Sequence, residues 1–424
     1  MDDALVFPSG LAQRAGPRRL RGSRRARQVL ARRRWQRWLA RFPLYGATVL
    51  SKLSVPPFGA MGLALVTPLL ALAALLGLAG GQMELHARRA LAFALMLATL
   101  VLLQVLAVDS YSPASLLLLV VAHLPYVVQQ RRAGGEDVLV LFQQLALVLA
   151  VLGIAQYALQ STLGPALVFP MENYLPPDLT MAKYNTEAIL RYGSEVRRAN
   201  GVFMIEPSLF SQLMALGLVV EMLMRRRLLW LGLLMAGLLV SYSGTGIALL
   251  AACLVYEGVA RRMWGALLMA GLAGALALGL GVLLEVPMVT NLVARSAEFG
   301  ISGSSGSMRF VAGFSLFEQW LWPDPYHAFF GYGAGSMASY ANASPTPAAE
   351  MFLFKAVFEY GILGAGAYLA FIGYCLWAAA APGVLRLAVL LVIAMGGLFT
   401  PFGHLFACGL LLWPRRPVGE HRHG

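Results

Sequence analysis

From residue 42 onward the chain alternates between long apolar runs and short polar turns. The runs fall at 42–57, 60–79, 90–108, 113–128, 138–158, 202–224, 228–242, 245–259, 263–285, 351–376, 384–399 and 401–414. A helix needs about 20 apolar residues to cross the hydrocarbon core of a bilayer, with about 17–25 as the usual range. The pattern therefore predicts an all-α, polytopic integral membrane protein with about 12 transmembrane helices. The first run is the weakest, interrupted by Lys52 and closed by "VPPFG", and several others are short.

The turns between the runs set the sidedness. Lys and Arg concentrate on the cytoplasmic side of membrane proteins. With the N-terminal tail inside, strict alternation puts "HARR" (86–89), "QQRRAGG" (129–135), "RRR" (225–227), "RR" (261–262), Arg386 and the C-terminal "PRRPVGEHRHG" in the cytoplasm. The opposite side receives "DSYSP", a long loop over about 159–201, "SYSGTG", a second long loop over about 286–350, and "TPFG". One arginine doublet breaks the rule: Arg197–Arg198, outside, at the mouth of a span. The expected organisation is a basic tail (1–41), one transmembrane domain (42–414) and a short tail (415–424), with no internal repeat and no inverted halves of the transporter kind.

Composition agrees. The chain is 59% hydrophobic and only 12% charged, with a mean hydropathy of +0.69, whereas soluble domains carry about 25% charged residues. The net charge of +13 would suggest a nucleic-acid partner until it is located. Residues 1–41 hold twelve arginines and two aspartates, a net of +10. A basic helix lying on anionic lipid accounts for this tail, and no nucleic acid is expected, since no nucleic-acid-binding fold accompanies it. The tail does not read as a cleavable signal peptide. Cys253, Cys375 and Cys408 all lie in apolar stretches without pairing or metal-ligand spacing, so neither a disulfide nor a metal site is expected.

The candidate chemistry sits in the two long outside loops. The first carries Glu172, Asp178, Lys183, Glu187, Arg191, Glu195, Arg197 and Arg198; the second carries Arg295, Glu298, Arg309, Glu318, Asp324, His327 and Glu350. An enzyme facing away from the cytoplasm has no nucleotides to draw on, so its substrate must arrive activated. A lipid-linked pyrophosphate fits that need, and arginine suits its charge through paired donors and permanent ionisation. Arg198 and Arg309 together could grip such a group, with Arg197 as a supporting cation. The plainer reading of Arg198 is that it snorkels to headgroups or pairs with Glu195. "GISGSSGSMRF" before Arg309 offers backbone N–H groups for an anion nest or is simply flexible. "FFGYGAGS" (329–336) lacks the lysine of a phosphate loop and reads as tight backbone packing.

Four segments in order carry a resemblance. "RANGVFMIEPSLFSQLMALGL" resembles the arginine, glycine, phenylalanine and proline–serine signature that opens a span in the O-antigen ligase and Wzy-type polysaccharide polymerase superfamily. "LLVSYSGTGIALLAA" looks like its serine-rich span. "GSMRFVAGFSLFEQWLWPDPYHAFFGYGAGS" is similar to its arginine-to-glycine loop. "EMFLFKAVFEYGILGAGAYLAF" matches its last conserved helix. The resemblance spans about 190–375 of this chain and implies inverting, metal-independent glycosyl transfer without a cofactor. The reaction would run on the outer, periplasmic face of the bacterial inner membrane. The donor would be a glycan on undecaprenyl pyrophosphate, and a polysaccharide co-polymerase and a flippase would be partners. Arg198 and Arg309 match the family's two pyrophosphate-associated arginines.

One departure bears on the mechanism. Counting back from Gly361, the family's catalytic histidine position falls on Glu350, with Met351 in place of the following asparagine. A carboxylate can still accept the acceptor's proton, provided it is ionised, and a nearby arginine would help keep it so. His327 is the second candidate base, or else a structural histidine beneath the glycine turn. Glu206 is expected either to orient Arg198 or to serve as a helix N-terminal carboxylate. Lys355 and Glu359, one helical turn apart, read as an ion pair. The expected function is a repeat-unit polymerase. A ligase or protein O-oligosaccharyltransferase of the same superfamily is the alternative within the class, and a lipid-linked glycan flippase the alternative outside it.

Overall fold

The computed structural model describes residues 24–56, 63–106, 112–131, 138–181, 184, 186–190, 195–294, 300–301, 304–344 and 348–414. Most of the basic tail (1–23), the C-terminal tail (415–424), Lys183, Arg191, Arg295 and Glu298 lie outside the described residues. The main elements, in chain order, are α1 (Arg24–Tyr45), α2 (Val66–Ala79), β1 (Met83–Leu85), α3 (Ala87–Leu106), α4 (Pro113–His123), β2 (Val128–Gln130) and α5 (Val138–Leu163). Next come α6 (Pro207–Met224), α7 (Leu228–Val240), α8 (Gly244–Ala260), α9 (Trp264–Leu283), α10 (Ser305–Phe310), α11 (Ala312–Leu316) and α12 (Pro325–Phe330). The chain closes with α13 (Phe352–Trp377), α14 (Gly383–Ala394) and α15 (Pro401–Phe406), whose helix runs on through a π-turn at Ala407–Leu412.

Five of these, α3, α5, α6, α9 and α13, are long and apolar enough to cross a membrane, and six shorter apolar helices accompany them. The chain is thus an all-α, membrane-embedded protein. Each of these helices answers to one apolar run of the sequence. The first run, 42–57, does not form a separate helix. Its opening residues are the end of α1, which carries the basic stretch into the bundle without a break and continues as a π-turn over Gly46–Leu50.

At the centre stands α6, buried at every residue from Pro207 to Glu221. Small residues let its neighbours close in. Gly246 of α8 meets the Ser211 backbone and donates its N–H to Ser211 Oγ at 3.1 Å, Gly237 of α7 packs on Met214, and Gly153 of α5 faces the Phe210 ring. Helix α9 is the outermost, with almost none of its length buried. All three cysteines are buried and free.

One end of the bundle gathers the arginine-bearing turns. β1 and β2 pair antiparallel, Met83 opposite Gln130. The Gln130 N–H donates to the Trp413 carbonyl at 3.0 Å and the Arg131 N–H to the Gln82 carbonyl at 2.9 Å. Arg89 is buried and donates to the carbonyls of Tyr126 (3.0 Å) and Leu412 (3.2 Å) and to Gln129 Oε1 (3.2 Å). A guanidinium at these chain ends supplies donors to carbonyls that the helices leave unpaired. Arg227, just beyond α6, binds Glu221 and reaches Gln143 near the start of α5. Three turns that sequence alternation put on one side, 86–89, 129–131 and 225–227, therefore meet at one end, beside the end of the last helix.

Toward the other end, loop segments plug into the bundle. Asp324 caps α12 by accepting from the N–H groups of Tyr326 and His327, and Pro325 occupies the first helical position, where no N–H is needed. The turn after α12 inserts into a break in α13 at Gly361 (φ 64°, ψ −178°). The Tyr332 and Gly333 N–H groups donate to the Phe358 and Glu359 carbonyls, each at 3.0 Å, replacing helix bonds lost at the break. A methyl group on Gly331 (φ 81°) would strike the Glu359 carbonyl, and one on Gly361 the Phe329 carbonyl. The glycine-rich stretch is backbone packing, as its sequence indicated.

Candidate functional site

The first part of the site is a tight turn. Between Arg198 and Glu206 the chain passes through Gly201 (φ 64°) and Val202 (φ 69°), both left-handed. For a β-branched residue that conformation is a genuine outlier, costing about 1–3 kcal/mol unless its surroundings enforce it. The surroundings do. Gln156 of α5 accepts through Oε1 from the N–H groups of Asn200 (3.0 Å) and Gly201 (3.1 Å) and donates to Asn200 Oδ1 at 3.1 Å. Asn200 Oδ1 also accepts from the Val202 N–H at 3.0 Å. Lys52 Nζ donates to the Val202 carbonyl at 2.8 Å and to Glu172 Oε1 at 2.5 Å, while Asn200 Nδ2 donates to the same carboxylate oxygen at 2.9 Å. Lys52 is fully buried. A buried ion pair that loses one partner typically costs about 3–5 kcal/mol, so this lysine and glutamate stand or fall together.

Upstream of the turn, Arg197 is committed. Its guanidinium pairs with Glu187 at 2.5 Å and lies 5.5 Å from the centre of the Phe169 ring, and Gln160 brackets its backbone. Arg198 donates its N–H to the Ala188 carbonyl at 2.9 Å, and its side chain is half-buried.

Downstream, Glu206 occupies the N-cap position of α6 and accepts from Ser208 Oγ at 2.9 Å. Its Oε2 also forms an ion pair with Arg309, in the last turn of α10. Glu206 is thus both a helix N-terminal carboxylate and a partner of the second candidate arginine, where sequence reading had matched it to the first. The 18 residues of α6 put Glu206 about 27 Å from the Arg225–Arg227 turn, close to the thickness of a bilayer core.

Helix α10 is tied to the start of α13 by a bond from the Ala349 N–H to the Met308 carbonyl at 2.9 Å. Glu350 follows at once. Its Oε2 lies 2.5 Å from Lys355 Nζ, and Lys355 also lies 2.8 Å from Glu359 Oε1. The two carboxylates differ: the Glu350 side chain is 41% exposed, that of Glu359 not at all. The pair read between Lys355 and Glu359 is present, whereas the cation beside Glu350, where an arginine is expected from the sequence, is this same lysine. Tyr184, from the first loop, joins the halves. It hydrogen-bonds Thr400 Oγ1 at 3.4 Å, and burial raises its hydroxyl pKa, with Glu206, Arg309 and Glu350 all close enough to act on it.

His327 sits in another setting. Its ring stacks on Tyr332 with centroids 4.1 Å apart and planes within 3°, and Tyr332 stacks in turn on Phe358. Nδ1 meets Asp324 Oδ2 at 2.6 Å, a bond that holds the Asp324 carboxyl below its usual range, and the His327 carbonyl accepts from the Gly331 N–H at 2.7 Å. Lys52, Glu172, Tyr184 and Thr400 were not among the residues singled out for the site. Lys52 and Glu172 were visible as charges in or near apolar sequence, but nothing local pairs residues 120 positions apart. Among the described residues no group of three or more His, Cys, Asp or Glu side chains is arranged to hold a metal ion. No protein-family model, no curated protein and no solved structure matches this chain.

Proposed function

We propose that the protein is a bacterial polysaccharide repeat-unit polymerase that works on undecaprenyl-pyrophosphate-linked glycans at the outer face of the inner membrane. The convergence of Arg309, Glu206, Tyr184 and Glu350 at the end of the bundle away from the arginine turns carries this reading. The four motif resemblances and the length of α6 support it. The donor diphosphate displaces the Glu206 carboxylate from Arg309 and takes up that guanidinium together with Arg198. The acceptor hydroxyl loses its proton to Glu350 as its oxygen bonds to the anomeric carbon of the donor. The bond from that carbon to the pyrophosphate oxygen breaks, its electron pair leaves with the diphosphate, and the configuration inverts. Arginine pairing stabilises the charge that develops on the leaving group, so no general acid is required there. Lys355 lies against Glu350 and is itself anchored by the buried Glu359. Glu350 is exposed enough to meet a sugar hydroxyl, and Glu359 is not.

Analysis of lipid-linked glycans in a strain lacking the protein tests the reading. Accumulation of single repeats on the carrier is the expected outcome. Full polymer retained on the carrier would identify a ligase, and repeats trapped facing the cytoplasm a flippase.

A further inference from the structure

We propose that Lys52 is a positioning residue of the diphosphate site: held by Glu172, it ties down the left-handed turn at Asn200–Val202 and so fixes where Arg198 and Glu206 stand. The inference rests on the assignment of Arg198 and Arg309 to diphosphate binding.

The turn is symmetric about its strained residue. Val202 is the one β-branched residue with positive φ among the described residues, and Arg198 and Glu206 lie four positions to either side of it. Left to its own preference, Val202 would move to an extended conformation. That change would swing the chain on one side of it relative to the other and so shift Arg198 relative to Glu206, which holds Arg309.

Two groups oppose the change from opposite sides. Gln156 takes both N–H groups at the front of the turn, and Lys52 takes the Val202 carbonyl at its back. An ammonium is a stronger donor to that carbonyl than any neutral group, which gives a reason for burying a full charge here. Its charge is matched by Glu172, with Glu187 further off and itself paired to Arg197. Lys52 thus acts through backbone geometry and touches no substrate. It comes from the end of the first helical segment, so it joins the membrane bundle to the outside loop.

The test uses the full-length protein in lipid nanodiscs. Lys52→Met combined with Glu172→Gln leaves no buried charge unpaired, so the variant should insert and fold. Hydrogen exchange at amides 200–204 should quicken by about tenfold as the turn loosens. Affinity for undecaprenyl pyrophosphate should fall by about 100-fold, the scale expected when binding groups drift by about 1 Å. Adding Val202→Gly removes the conformational strain and should restore affinity to within about threefold, because glycine adopts positive φ freely.

Unchanged exchange in the double variant would overturn the proposal. So would lost affinity that Val202→Gly does not restore, since the loss would then come from general disruption. Faster exchange with affinity intact would leave the tether standing and overturn the assignment of the arginines to diphosphate. If the double variant does not accumulate in membranes, Lys52→Arg, which keeps the charge opposite Glu172 while displacing the donor from the Val202 carbonyl, should give a smaller loss of the same sign, and no loss would overturn the proposal.

Discussion

Two buried polar regions meet the same physical problem with opposite solutions. In the interior, His123 and His404 are each held at both ring nitrogens. His123 Nδ1 donates to the Leu119 carbonyl at 2.8 Å and Nε2 accepts from the Tyr368 hydroxyl at 2.5 Å. His404 Nε2 donates to the Leu398 carbonyl at 3.2 Å and Nδ1 accepts from the Tyr126 hydroxyl at 2.8 Å. The two imidazoles meet edge to face, 4.7 Å between centroids. Each ring N–H ends on a backbone carbonyl and each tyrosine hydroxyl on a ring nitrogen, so the arrangement stops there. At the loop end the partners are charged: Arg309 with Glu206, and Lys355 between Glu350 and Glu359. Neutral bonds suit permanent packing. On the function proposed above, the Arg309–Glu206 pair holds a cation in readiness until a stronger anion arrives.

Substitutions can break this contrast. The largest effect is expected at Arg309→Ala. The protein should still reach the membrane, while polymer yield falls by at least about 100-fold, the usual scale for losing a preorganised charge stabiliser. Chain-length analysis with a membrane blot checks both halves, and normal polymer would remove the diphosphate role. Next comes Glu350→Gln, expected to slow turnover by about 100-fold through loss of the base. Glu350→His should recover part of the rate, and full activity in the glutamine variant would send the search for a base elsewhere.

The smallest effect on chemistry, and the sharpest on stability, belongs to the interior. His123→Phe strands the Tyr368 hydroxyl and should cost about 1–3 kcal/mol, read as a lower Tm in detergent with activity per folded molecule unchanged. Adding Tyr368→Phe removes both partners and should return most of that loss. If instead the single change abolished turnover at constant Tm, the interior pair would have a part in the reaction and the contrast would fail.

What the sequence made legible follows from how local each signal is. Apolar runs and arginine turns act over about 20 residues, so the helices and the shared arginine end were readable. The Lys355–Glu359 pair spans a single helical turn and was equally plain. Glu206 was identified, but an arginine nearby in sequence looked a better partner than one 103 residues away, and the distant one is its neighbour in space. The Lys52–Glu172 pair and both His–Tyr pairs were invisible for the same reason: each joins elements that only the fold brings together. The strain at Val202 had no sequence signature, because glycine is the residue expected at positive φ.

The interlock of Gly331 with Gly361 has a consequence for how such a protein diversifies. Neither position has room for even one extra carbon against the opposing main chain. A change at either site calls for a matched adjustment across the gap, so residues 329–333 and 358–361 should vary little among any kin with different substrates. New substrate preferences would then have to arise on the flanks of that seam, with the seam itself as the fixed pivot around which the loop is rebuilt.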